Sequence, residues 1–269
     1  MTVLWQRVIS VEVAGFTITD PKIEIDIKRE GTNTPANGHV SIFNLSEDHE
    51  RQIYDRGREL TISIGYQDDP AIVFDGVVQR VERERKLQRR VTKIALGGKA
   101  VAKETLGGTT QRAYDGEVLL RVIAQDLVAD LNASSAQSFT LGSVDPIPPG
   151  LKREWNFTGT VTSALGILVE GLDVHWYEED GVICFSEWQK PVLGAPTIVL
   201  TPETGLLESP AVTDEGARTR SLCLPRVRVG SCVELESETL SGAYKAISIY
   251  HKGDNWTGSL ITELELREI

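Results

Sequence analysis

The 269-residue chain has little of what marks metal, redox and membrane proteins. Cysteine is scarce: Cys184, Cys223 and Cys232 are an odd number without a CxxC pair. That argues against a zinc knuckle or a disulfide framework, since both need thiols at set spacing. Reduced, partly buried thiols are expected. Histidine is equally sparse, and His39, His49, His175 and His251 show no HExxH or HxH spacing. The pairs Gly97, Gly98 and Gly107, Gly108 belong to neither GxxxxGK[ST] nor GxGxxG, so phosphate cradling is unsupported. No metal or cofactor is expected. No run approaches the ~20 apolar residues of a membrane helix. Gln6, Arg7 and Glu12 interrupt the first twenty residues, where a signal peptide would be continuously apolar. The expectation is a protein made in a cytoplasm, without membrane contact.

Positive charge is also in deficit, with 28 Lys and Arg against 39 Asp and Glu, a net −11 and a pI near 5.0. Binding to nucleic acid draws its affinity from neutralising phosphates, so general DNA binding is disfavoured. The apolar share of 41% and charged share of 25% are those of a folded globular protein. A chain of this size buries roughly three-quarters of its unfolded surface, enough for a core without disulfides or metals.

What is present is mostly strand. Ile23, Ile25 and Ile27 alternate onto one face, and residues 32–38, rich in Asn, Thr, Pro and Gly, read as a turn. Residues 39–45 form the next strand. Ser46 stands where a helix N-cap belongs, with Glu47 and Asp48 suited to the positive end of a short helix reaching about Tyr54. LTISIGY and the long AIVFDGVVQRVERER follow as strands. Residues 86–88 are expected to turn the chain into RRVTKIAL, giving a long hairpin with a charged tip.

The period then changes. Leu120, Ile123, Leu127 and Leu131 mark a helix over 114–132, and Val161, Leu165, Leu168 and Leu172 mark a second, starting near Thr158 or Thr160. In VHWYEEDGVICFSE, Asp180 and Gly181 predict a two-residue hairpin turn of type I′. From Thr197 the chain is β again. The expected fold class is mainly β with a small α+β insert: β over 1–100, α+β over 101–195, β over 196–269. Many short strands with close turns favour barrels.

Candidate chemistry is thin. A type I′ turn at Asp180 and Gly181 sets Cys184 opposite Tyr177 and His175 opposite Ser186, with all four on one face of the hairpin. A Cys–His nucleophile is geometrically possible there, but it needs a lowered thiol pKa and an oxyanion site that nothing nearby advertises. Glu178, Glu179 and Asp180 cluster, yet a glycosidase needs two carboxyls at a set separation across a cleft. A solvated hairpin tip is the simpler expectation. A carbohydrate- or receptor-binding β module would expose an aromatic platform, for which Trp155, Trp176, Trp188 and Trp256 are the candidates. Core packing is the simpler role for most of them.

The strongest charge feature runs over residues 80–93, with seven Arg or Lys against Glu82 and Glu84 on a negative chain. Such charge protects a solvated hairpin from edge pairing. It equally suits an arm that docks an acidic neighbour, since complementary charge steers assembly and fixes register. Arg83, Arg85, Lys86, Arg89 and Arg90 are the candidate interface.

Two longer patterns carry a resemblance. KIEIDIKREGTNTPANGHVSIFNLSEDHERQI followed by LTISIGYQDDPAIVFDGVVQRVERE resembles the opening tail-tube-like domain of phage baseplate proteins, through its Asn-Leu-Ser step into a short helix, its Gly-Tyr strand and its Phe-Asp-Gly strand. Residues 204–237 and 242–266 resemble the hub family, with Gly205-Leu206, Ser209-Pro210, Leu224-Pro225, Gly230, Gly242-Ala243-Tyr244 and His251-Lys252-Gly253-Asp254 as markers. The resemblance implies a Mu-like baseplate hub: a non-enzymatic homotrimer with two tail-tube-like β-barrel domains per subunit. The six barrels would form a pseudo-six-fold ring, joining a hexameric tail tube or distal tail protein to a trimeric central spike among other baseplate proteins. DNA would meet it only in transit through the bore, where an acidic lining would suit passage. Its place would be the tail baseplate of a virion, after synthesis in the bacterial host cytoplasm. No lysozyme or peptidoglycan-binding module is seen. A tail-associated hydrolase and a carbohydrate- or receptor-binding β module are the alternatives.

Overall fold

Alternation of branched apolar residues with polar ones dictates the architecture, because each strand so patterned buries one face and leaves the other to solvent. The computed structural model describes residues 6–31, 36–54, 59–67, 69–86, 89–99, 108–133 and 138–269. The N-terminal strands are β1 (Arg7–Val13), β2 (Phe16–Ile18), β3 (Ile23–Glu30), β4 (Asn37–Phe43), β5 (Glu59–Tyr66), β6 (Ala71–Lys86) and β7 (Arg89–Gly98). They pair antiparallel in the order β3-β4-β7-β6-β5-β1-β2. Ile23, Ile25 and Ile27 lie at 3% exposure or less beside Ile9, Val40, Ile62, Ile64 and Ile94 in one core. Each such side chain contributes roughly 1.5–3 kcal/mol by leaving water. Ser46 caps helix α1 (Glu47–Ile53), its side chain accepting from His49 N as the sequence predicts.

The middle segment has its own core. It comprises β8 (Thr109–Ala113), β9 (Glu117–Leu119), α2 (Leu120–Ala133), β10 (Thr140–Leu141), β11 (Leu151–Arg153), β12 (Asn156–Thr160), α3 (Val161–Val169), β13 (Val174–Glu179) and β14 (Val182–Glu187). The stripe Leu120, Ile123, Leu127, Leu131 faces Val161, Leu165 and Leu168, as the 3.6-residue period requires. The first helix starts at Leu120 rather than near 114, because residues 109–113 and 117–119 pair as strands with β12 and β11. Thr160 caps α3, accepting from Ser163 N.

The C-terminal strands are β15 (Thr197–Leu200), β16 (Ala211–Thr213), β17 (Gly216–Leu222), β18 (Cys232–Glu236), β19 (Ser241–Asp254) and β20 (Leu260–Glu268). A third core gathers Leu200, Val227, Val233, Ile249, Leu264 and Leu266, with Tyr177 of β13 packed into it.

Strand β19 joins these parts. One edge pairs with β20 along most of its length. The other edge is divided: residues 241–245 pair with β18, and residues 248–254 pair with β3. The N- and C-terminal β regions therefore share one 13-stranded sheet. A bulge between Ala246 and Ser248 marks the division, as bulges do where a strand bends or changes partner. There the carbonyl of Ile247 accepts from Gly31 N at 2.8 Å, while Gly230 N donates to Ala246 O at 2.8 Å. Gly31 is required by proximity: a Cβ would sit 2.8 Å from Val229 Cγ1 and 3.2 Å from the Ile247 oxygen.

Candidate functional site

The basic hairpin is longer than the sheet that supports it. β4 stops pairing with β7 at Phe43 opposite Val91, whereas β6 and β7 pair on to Lys86 opposite Arg89. Leu87, Gln88 and the Lys86 side chain lie outside the described residues. The five candidate cations are not equivalent. Arg83 and Arg90 are turned back onto α1, whose Glu50 is only 1% exposed. Arg83 Nε lies 2.8 Å from Glu50 Oε1, Thr92 Oγ1 donates to the same oxygen at 3.2 Å, and Arg90 Nη1 donates to Glu47 at 3.0 Å. A buried carboxylate needs such partners. These contacts brace the arm against α1. Arg85 and Arg89 are exposed and have no ion-pair partner among the described residues. The sequence shows the charge but not this division, because Glu50 lies over thirty residues from the arm along the chain.

The second charged feature is a joint. Arg29, the last inward position of β3, is 3% exposed. It donates to Glu179 Oε1 at 2.7 Å and to Asp180 Oδ1 at 3.0 Å, at the tip of the β13–β14 hairpin. Arg228 of the C-terminal region approaches Glu179 at 4.0 Å. The type I′ turn is as the sequence predicts, with φ of 53° at Asp180 and 82° at Gly181. Its setting is not: the acidic tip expected to be solvated is docked between the β regions. Glu178 is 4% exposed and accepts from Gly181 N at 2.8 Å. Burial pushes the Glu179 carboxyl up, against the attraction of Arg29. The physical reason is that Arg29 is itself buried and needs a counter-charge.

The Cys184–His175 pair has the predicted register, Tyr177 opposite Cys184 and His175 opposite Ser186. Its chemistry runs the wrong way for a nucleophile. Burial pushes the Cys184 thiol up to about 12 and, with Lys245 and Arg267 opposing a further positive charge, holds the His175 imidazole down near 3. A thiolate–imidazolium pair needs the opposite shifts. His175 is instead packed between Tyr177 and Trp188, with ring centroids 6.0 and 4.1 Å away. Lys245, fully buried, donates to Ser186 Oγ and the Glu187 carbonyl at 2.6 Å each, tying this hairpin to β19. Among the described residues no three His, Cys, Asp or Glu side chains cluster to hold a metal. Trp155 and Trp176 are core residues, Trp188 stacks under Arg267, and Trp256 alone of the four is exposed.

The outward face of the shared sheet is polar and spans both β regions. Two adjoining hollows of about 470 Å³ each lie on it, both lined by Asp26, His39 and Glu263. Both signs of charge alternate there. Arg218 meets Glu265 at 2.5 Å, Arg220 approaches Glu263 at 3.7 Å, and Tyr250 Oη donates to Asp26 at 2.7 Å. Such exposed pairs add little stability, but they leave this face near neutral. The net negative charge of the chain is not concentrated on it.

No family model and no curated protein matches the sequence. Solved structures do match over almost the whole chain. A tail protein from Neisseria meningitidis MC58 superposes with a TM-score of 0.69 at 12% identity, covering 98% of this chain and 97% of that one. The 43 kDa tail protein of prophage MuSo2 from Shewanella oneidensis gives 0.65 at 10% identity, with 97% and 98% covered. The E. coli c3393 protein, a component of the type VI secretion system with structural similarity to the T4 tail proteins gp27 and gp5, gives 0.64 at 9% identity, with 96% and 76% covered. The chain has the mainly β fold of these tail proteins.

Proposed function

We propose that the protein is a structural hub of a phage-tail baseplate, without enzymatic activity. The observation that carries this reading is the shared sheet: β3 and β19 fix two β regions edge to edge, so each subunit offers two β lobes in a set relation. Three subunits so built give six lobes on a three-fold axis, which reconciles a hexameric tail tube above with a trimeric spike below. Homo-oligomers mostly adopt closed symmetry, and a ring that closes leaves no contact surface free for open-ended assembly. The full-length likeness to tail proteins supports the same reading.

On this reading the chain divides into β domains at 1–100 and 196–269, with the α+β domain of 101–195 wedged at the joint through Glu179 and Asp180. The near-neutral face of the shared sheet lines the bore through which DNA passes, and the basic arm contacts a neighbouring subunit. The unactivated, partly buried Cys184 and the buried His175 speak against a hydrolase. That Trp256 is the one exposed tryptophan among the described residues speaks against a carbohydrate-binding platform. Electron microscopy of the purified protein tests the proposal. Six similar lobes around a central opening are expected, and a particle without an opening would refute it.

A further inference from the structure

The charge of this chain is unevenly spread, and its two extremes lie at opposite ends of the shared sheet. At one end stands the arm. Ile23 pairs with Ile42 and Ile42 with Thr92, so the base of the arm, the start of β3 and, through the β3–β19 pairing, the end of β19 are neighbours. Arg89 is close enough to Lys22 to oppose its charge, and Lys22 lies 3.8 Å from Asp254. The loop after Asp254 presents Trp256, 59% exposed. That loop is rigid. The Asp254 carboxylate accepts from the N–H groups of Trp256, Thr257 and Gly258 at 2.6–2.8 Å. The Asn255 side chain donates to Thr19 O at 3.2 Å and Pro21 O at 3.0 Å, and accepts from Ile23 N at 2.8 Å. One end of the molecule thus carries arginines without an ion-pair partner among the described residues, together with a tryptophan on a hydrogen-bonded loop, the side-chain types that dominate binding hot spots. Pre-ordering lowers the entropy lost on contact.

At the other end lie β15 and β18. Residues 197–217 and 229–244 contain seven carboxylates and no Lys or Arg. Glu234 and Glu236 point outward from β18 by strand alternation, and neither has a cationic partner among the described residues. Glu234 sits between Val199 of β15, 47% exposed, and Ala243 of β19. The arm cannot reach this face within one molecule. The eleven steps of β19 from Ala243 to Asp254 alone span roughly 36 Å.

We propose that the arm end of one copy, through Arg85, Arg89 and Trp256, docks head to tail on the Glu234, Glu236 and Val199 face of a second copy; the inference rests on the hub reading and names its subunit contact. Cations and an aromatic meet carboxylates and an exposed valine, so charge and polarity both match. The contact is heterologous, because each copy uses different surfaces toward its two neighbours, and such a contact is satisfied only when the ring closes.

Charge reversal in the full chain, read by sedimentation, tests the contact. Arg85→Glu with Arg89→Glu, and separately Glu234→Arg with Glu236→Arg, should each abolish the trimer while leaving the circular dichroism and melting temperature of the subunit unchanged. All four changes together restore opposite charges across the contact and should restore the trimer. If both one-sided variants assemble like the wild type, or if each fails and the fourfold variant does not recover, the inference is overturned while the hub reading stands. A wild type that is monomeric at its highest soluble concentration overturns both.

Discussion

Replacing Arg29 by Met is the sharpest probe of the joint. The change keeps side-chain volume but removes the cation that holds Glu179 at 2.7 Å and Asp180 at 3.0 Å. Removing one partner of a buried ion pair costs about 3–5 kcal/mol, because the other charge is left uncompensated. At roughly 2–4 °C per kcal/mol for a protein of this size, the melting temperature should fall by about 10 °C. The deficit should depend on pH with a definite sign. Burial already raises the Glu179 carboxyl above its ordinary 4.5, and loss of Arg29 raises it further. A carboxyl raised in the folded state is protonated there over a window where the unfolded chain is ionised, so stability falls as pH rises through that window. The variant should therefore lie nearest to wild type around pH 5 and diverge towards pH 8. Adding Glu179→Gln and Asp180→Asn removes both signs of charge and should recover at least half of the loss. Differential scanning calorimetry across this pH range decides the matter. An Arg29→Met protein melting within about 2 °C of wild type at neutral pH would refute the joint.

Further expectations concern other buried groups. Glu50→Ala removes the anchor for Arg83 and Thr92 and should cost about 2 kcal/mol, seen as a lower melting temperature and faster proteolysis within α1. Burial holds His175 and His251 near 3, well below their ordinary 6.5, so the unfolded chain binds protons first on acidification. Stability should fall as pH drops from about 6.5 towards 3. His175→Phe, at a position whose ring nitrogens have no hydrogen-bond partner among the described residues, should shrink that dependence in urea titrations; an unchanged slope would count against the burial argument. Cys184 and Cys223, both pushed up to about 12 by burial, should resist a thiol reagent at pH 8 until the protein unfolds, and prompt native labelling would contradict this.

Features set by neighbours in sequence were legible before the structure. The Ser46 cap, the Leu120 to Leu131 stripe, the type I′ turn at Asp180 and Gly181, and the facing of His175 with Ser186 all follow from local period and turn chemistry. Features set by distant pairing were not. Nothing local says that β3 will share an edge with β19, more than two hundred residues away, since any strand with one apolar face can pair with any other. The docked tip of Glu178 to Asp180 was hidden for the same reason: three acidic residues at a turn look solvated until Arg29 is brought opposite them. The arm was visible as charge, but its division into Arg83 and Arg90 held by α1, and Arg85 and Arg89 without an ion-pair partner among the described residues, depends on Glu50 being buried. A single short strand pattern does not carry that information.

The central claim is that this fold serves as a closed trimeric ring, and the mass in solution tests it most directly. Sedimentation equilibrium of the purified protein should return three times the 29.6 kDa of one chain, independent of loading concentration once assembled. A mass of one or two chains over the same range would contradict it.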